Sequence, residues 1–327
     1  MSLKDLINHK RVKRITTHPD NDDAIWRADL ARFLSGDTTL TRKSAGEAGI
    51  KAVQRLLIFL GYSTSSNGAF AIDGDFGRGT NRAVAQFQVE NRLTRTINRD
   101  TLCYPCKWNT ARTLISAIPD ARLTSSTLEK MLKTAIARAD STQVMTGNFD
   151  DAIFHLNALH KRAYLNCRKI LERYGAMAAS VSEALTDETG TLVRPEWILS
   201  IIRQETAGII RPRFEQHYLS RLNRQQPNTG LEELRMQSMS MGLGQVMGAN
   251  YKRVGAQNAT ELFTAPAIRQ VEFVARFLSK KEVVVRKSNP TGDDFHRLAR
   301  YYNGPKYAAH HYHESLARWF REFRMLM

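Results

Sequence analysis

A carboxylate stands where a helix would normally bury an aliphatic side chain. Ile198, Ile201 and Ile202 recur at the spacing of one helical face, and the i+7 position of that face is Glu205, inside IIRQETAGIIRPRFEQH (201–217). Pro195 suits the first position of a helix, where its missing N–H goes unused. Counting from it, Glu205 falls in the last turn, and Gly208 is placed to supply a left-handed cap. Burial of that face and the negative end of the helix dipole would both disfavour the carboxylate. A carboxyl group kept protonated near neutral pH is what a general acid for glycoside cleavage requires. The plainer reading is a helix-end acid paired with Arg203, Arg211 or Arg213.

Two other stretches supply groups of the right kind. In MSMGLGQVMGANY (239–251), a Gly-x-Gly-Gln turn lets the backbone approach closely and presents Gln245, whose amide both donates and accepts. Met241, Met247 and Tyr251 offer apolar walls beside it, with Asn250 a further polar group. In RYYNGPKY (300–307), Tyr302 and Asn303 precede a Gly-Pro helix stop and would line a polar cleft. Read plainly, the first is a glycine-rich loop between helices and the second an ordinary helix end.

The elements that must hold these residues are helical throughout. At 327 residues and 42% hydrophobic composition the chain has material for one large domain or two to three ordinary ones. No run of about 18 uninterrupted apolar residues occurs, so no segment is expected to span a bilayer. The N-terminus lacks a signal-peptide pattern, so synthesis in the cytoplasm without a leader is expected. The formal charge of +16 predicts attraction to polyanions, whether nucleic acid, anionic lipid or a bacterial envelope. The basic residues are dispersed and no nucleic-acid motif accompanies them, which places nucleic acid last among these. Cys103 and Cys106 form a lone CxxC with no second pair, read as buried thiols or a local redox or metal role; no metal site is expected.

Residues 1–41 read as an extension with a short helix at 24–34. A three-helix unit follows at 42–118. Ser44 and Glu47 make a capping box, Ile50, Val53, Leu57 and Leu60 follow at helical spacing, and Gly61 stops the helix. Thr80 is placed to cap a helix carrying Ala83, Val84 and Phe87, and a third helix is expected near Asp100. Residues 119–186 read as a helical linker broken at TGNFDD (146–151), or as helices completing the last domain's core. Residues 187–327 form a final unit, almost wholly helical. The predicted class is all-α.

Taken together, the motifs resemble known families. AGIKAVQRLLIFLGY…IDGDFGRGTNRAVAQFQVENRL resembles the three-helix peptidoglycan-binding domain, over about 45 to 115. That likeness implies wall-binding roles around Tyr62, Asp73, Asp75, Phe76 and Gln86, although Gln54 stands before the Leu pair rather than after it. An ordered Glu, then GLGQVMG, then YYNG resembles the lysozyme-like superfamily. The closer likeness is to the N-acetylmuramidase domain of phage endolysins, carried by Glu205-Thr206-Ala207-Gly208, by Arg211 to His217 and by Ser240 to Tyr251. It implies cleavage of the β-1,4 bond between N-acetylmuramic acid and N-acetylglucosamine. Glu205 would be the acid, and Gln245, Met247, Asn250, Tyr251, Tyr302 and Asn303 would contact the sugar.

The segment between Gly208 and Arg211 is shorter than the family's, and Met241 replaces its usual aromatic. Glu215 is the nearest candidate for a second acid, with a purely structural role as its alternative. The resemblance implies no cofactor, a monomer acting on peptidoglycan, and no stable insertion into a membrane. It further implies release through a holin-type lesion to the periplasmic wall of a Gram-negative host. A lytic transglycosylase leaving 1,6-anhydro ends, and a non-enzymatic wall-binding protein, are the alternatives.

Overall fold

The computed structural model describes residues 1–32, 46–65, 72–93, 122–226 and 228–327. The capping serine Ser44, the helix expected near Asp100, and Cys103 with Cys106 lie outside them. The described residues are predominantly α-helical, and they divide into two compact units. Unit 1 comprises Met1–Ala163 and Arg211–Ser240; unit 2 comprises Tyr164–Ile210 and Met241–Met327. The chain thus leaves unit 2 after Ile210, contributes thirty residues to unit 1, and returns at Met241. The stretch read as a linker at 119–186 is shared between them. Its helices up to 163 belong to unit 1 and the rest to unit 2.

Unit 1 begins with α1 (Leu3–Asn8), α2 (Lys10–Thr16) and α3 (Asp23–Ala31), followed by α4 (Glu47–Phe59) and α5 (Arg78–Glu90). Further on lie α6 (Ser125–Ala139) and α7 (Phe149–Lys161), the break between them falling at 145–148, where Asn148 caps α7. Helix α4 is the hub, packed by α2, α3, α5, α6 and α7. It is buried on nearly every side, which is why its apolar residues run almost continuously from Val53 to Leu60 and not in a single stripe. Helix α5 starts at Arg78 after Gly77, earlier than the expected cap at Thr80. Thr80 instead turns its hydroxyl inward to the Asp75 carbonyl, at 3.1 Å. The inserted segment adds β1 (Arg213–Phe214), α10 (Gln216–Gln225) and α11 (Leu231–Gln237). It ends in β2 (Met239–Met241), which pairs antiparallel with β1 in the register Arg213 to Ser240 and Phe214 to Met239. These strands are too short to show as alternation in the sequence.

Unit 2 is built round α9 (Pro195–Glu205), which is packed by α8 (Cys167–Thr189), α12 (Ala267–Ser279) and α14 (Tyr312–Leu326). Helix α13 (Gly292–Asn303) packs on α14. Trp197 of α9 is fully buried between Phe295 and Phe320, with ring centroids 5.1 and 4.4 Å away. Burying three such rings at one point fixes the helix axis as well as driving its burial. The predicted isoleucine face is all core: Ile198, Ile201 and Ile202 are fully buried.

Candidate active site

Pro195 starts α9 as its spacing predicts, and Glu205 is the last residue of the helix. The end is made by Thr206, whose hydroxyl donates to the Leu243 carbonyl at 2.8 Å and accepts from the Gly208 amide at 3.2 Å. The cap is therefore at Thr206, with Ala207 (φ 46°) and Gly208 (φ 74°) both left-handed after it. Gly208 is required twice over. Its φ favours glycine, and a Cβ there would come within 2.9 Å of Leu165. Tyr174 also donates to its carbonyl, at 3.0 Å.

The Gly-x-Gly-Gln turn is fixed from behind. Gln270, buried in α12, accepts from the Leu243 amide at 3.1 Å and donates to the Ala265 carbonyl at 2.9 Å. Gly244 has no room for a side chain: a Cβ would lie 2.5 Å from Val274 and 2.6 Å from the Tyr302 hydroxyl. That hydroxyl donates to the Gly244 carbonyl at 2.7 Å. Gln245 takes a positive φ of 48° and donates its amide to the Gly242 carbonyl at 3.2 Å. The strain of a left-handed non-glycine residue is held by this over-determined turn.

Tyr312, at the start of α14, donates to Glu205 Oε1 at 2.5 Å. Burial raises the phenols of Tyr312 and Tyr302 well above the usual tyrosine range, and the Glu205 charge raises both further. Both stay protonated and serve as donors. The structure thus gathers Glu205, Tyr302, Tyr312 and the turn 242–245 at one end of α9. Tyr312 was not singled out from the sequence. It lies in a His-rich stretch, HHYHES, and only its juxtaposition with α9 reveals it.

The remaining candidates are divided between the two units. Met247, Asn250 and Tyr251 are half-buried in the strand and 3-10 turn after Gln245, in unit 2, and Asn303 is exposed at the end of α13. Glu215 belongs to unit 1, where it pairs with Arg213 at 3.0 Å. Tyr62, Phe76 and Gln86 are buried in unit 1. Tyr62 donates to Glu90 at 2.6 Å, and Asp73 accepts the Asp75 amide at 2.9 Å inside the tight turn. Gln54 organises that turn: it accepts from the Asp73 and Gly74 amides at 3.0 Å each and donates to Asp73, the Asp75 carbonyl and Thr80. No group of ligating side chains that could hold a metal occurs among the described residues.

With the geometry in place, comparison with known proteins is informative. Residues 46–96 match the family of peptidoglycan binding domains, and residues 231–324 match the N-acetylmuramidase family. A solved structure titled as the crystal structure of Burkholderia AP3 phage endolysin is similar at 16% identity, over 88% of this chain and 99% of its own, with a TM-score of 0.34. No curated protein matches.

Proposed function

We propose that this chain, which joins an N-terminal peptidoglycan-binding domain to a C-terminal muramidase domain, is a phage endolysin in which Glu205 is the acid that cleaves the wall glycan. The observation that carries the assignment of Glu205 is the 2.5 Å hydrogen bond from Tyr312 at the end of the helix whose one face is the buried Ile198, Ile201 and Ile202. With Oε1 engaged by the phenol, a proton on Oε2 passes to the glycosidic oxygen. The bond from C1 of N-acetylmuramic acid to that oxygen breaks, and water adds at C1 and releases a proton that restores the protonated Glu205 through solvent, leaving a reducing end. The turn at 242–245 and Tyr302 form a rigid wall against which the sugar is oriented, which limits the reorganisation needed at the transition state. The peptidoglycan-binding domain keeps the enzyme at its insoluble substrate and raises the effective concentration. Glu215 is better read as structural, because its partner is Arg213 within unit 1. The periplasmic wall of a Gram-negative host is the proposed site of action, reached after holin-type release, and a monomer is the proposed state.

Mass spectrometry of digested peptidoglycan tests the reaction directly. Muropeptides with reducing N-acetylmuramic acid are expected. Products lighter by one water as the main species would assign a transglycosylase.

A further inference from the structure

Outside this site, unit 2 carries a cavity of about 720 Å³ where the end of α12 and the short helix Glu282–Val285 face α13. Four cations line it: Lys280, Lys281, Arg297 and Arg300. Arg297, Arg300 and Tyr301 are spaced at i, i+3 and i+4 on α13, so one helical face presents both guanidinium groups beside the phenol ring. Tyr301 is firmly placed. Its hydroxyl donates to the Phe277 carbonyl at 2.8 Å and accepts from Arg253 at 2.6 Å, and Lys281 lies 4.9 Å from its ring centre.

The cations around this cavity differ from their neighbours. Arg269 pairs with Glu261 and Glu272, Arg276 with Glu188 and Glu272, and Lys287 with Asp294. None of the four lining cations has a carboxylate partner among the described residues. The lining acid, Glu282, is directed to Arg286 at 3.6 Å. Helix termini alone would account for Lys280, Lys281 and Arg300, which stand at the ends of α12 and α13, and not for Arg297, a turn further back on α13.

We propose that this cavity is a binding site for a phosphomonoester carried on a sugar or a lipid headgroup. Two guanidinium forks and two ammonium groups offer far more donors than a carboxylate's two oxygens can accept. They match the three acceptor oxygens and the charge of about −1.5 to −2 of a phosphomonoester at neutral pH. The volume exceeds that of a bare ion, and the exposed Val283 adds an apolar edge for the group bearing the phosphate.

The test is calorimetric titration of the full chain with glucosamine 1-phosphate and with glucosamine. Saturable binding of the phosphorylated sugar is expected, with none for the amino sugar that lacks phosphate. Arg297→Gln combined with Arg300→Gln should weaken that binding at least tenfold, while peptidoglycan hydrolysis and the melting temperature stay unchanged. Lys281→Gln provides a second, milder variant expected to weaken binding in the same direction. Absence of binding, equal binding of glucosamine, or undiminished binding by the double variant overturns the proposal. Co-sedimentation with phosphatidic acid vesicles, against phosphatidylcholine alone, then assigns the source. Capture lost in the double variant supports a lipid headgroup, and binding confined to the free sugar phosphate supports a saccharide.

Discussion

Unit 1 encloses Gln54, Arg55, Arg82 and the Arg235–Glu90 pair, each directed to backbone carbonyls, loop amides or its partner, whereas unit 2 surrounds α9 with aromatic rings and gathers Glu205, Tyr302 and Tyr312 at one end. Arg55 shows the first pattern most fully. It is completely buried, and it donates to the carbonyls of Ile15 and Leu156 and to Asn157, joining three helices at one point. Burial pulls its guanidinium down to about 9. Buried polar groups of this sort hold the frame, and altering them unfolds it. The polar groups at the end of α9 stand beside a core made by the isoleucine face and Trp197, so altering them is expected to leave the fold standing.

The largest expected effect tests the second half of that contrast. Glu205→Gln is nearly isosteric and cannot donate the proton, so wall clearing should fall by about 10²- to 10⁴-fold, with melting temperature and wall sedimentation unchanged. Clearing at the wild-type rate would end the assignment.

Glu90→Gln tests the first half. Arg235 lies against Tyr62 at 4.0 Å, donates to the Gly61 carbonyl at 2.7 Å, and pairs with Glu90 at 2.6 Å, both side chains being almost wholly buried. Burial works against its charge, and Glu90 more than compensates, leaving the guanidinium's pKa raised. Stranding that cation should destabilise unit 1 by about 3–5 kcal/mol in urea unfolding. Adding Arg235→Met should recover much of the loss. A change within error for Glu90→Gln would mean that the pair is ornamental to the frame.

Gly244→Ala probes the wall of the site, because the new methyl must displace Val274 or the Tyr302 hydroxyl. A loss of about 1–3 kcal/mol is expected, with reduced hydrolysis. Native-like activity in that variant would remove the turn from the site. Tyr312→Phe should slow hydrolysis by about tenfold, the equivalent of one charge-assisted hydrogen bond. A rate within error of wild type would reduce Tyr312 to packing.

The smallest effect separates the units by acid. His18 and His160 stack at 4.1 Å in unit 1; burial first, then Arg55 for His18, holds the former near 4, and burial, then His18 and Arg55, holds the latter near 3. Below about 6.5 the unfolded chain takes up protons that the folded unit refuses, so the stabilisation is complete above that pH and falls as pH drops toward 4 and 3. Urea unfolding at pH 5.5 should show unit 1 weaker by about 1–2 kcal/mol than at pH 7.5. His160→Phe, which keeps the stacking but does not titrate, should reduce that difference to the part owed to His18; an unchanged difference would refute the assignment.

Much of this organisation is written in local pattern. The isoleucine face of α9, Pro195 at its start, the stop at Gly61 and the glycines of 242–244 are short-range signals, and each corresponds to a feature of the structure. What escaped depends on contacts distant in sequence. Tyr312 meets Glu205 across 107 residues, and Arg235 meets Glu90 across 145. Gln54 looked like a displaced motif residue, and its reach to both amides of the Asp73–Gly74 turn is evident only once α4 and that turn are placed together. The transfer of 211–240 into unit 1 is likewise invisible to helical periodicity, which reports a buried face and not the element that buries it.

That transfer also decides what a protease can achieve. A single nick between Ala163 and Tyr164 would sever the wall-holding sequence from the catalytic sequence, yet not release one from the other. The piece 211–240 would still be covalently part of the catalytic chain and still seated in unit 1 through Arg235, Glu90 and the Gly61 carbonyl. The chain would be cut and remain tethered.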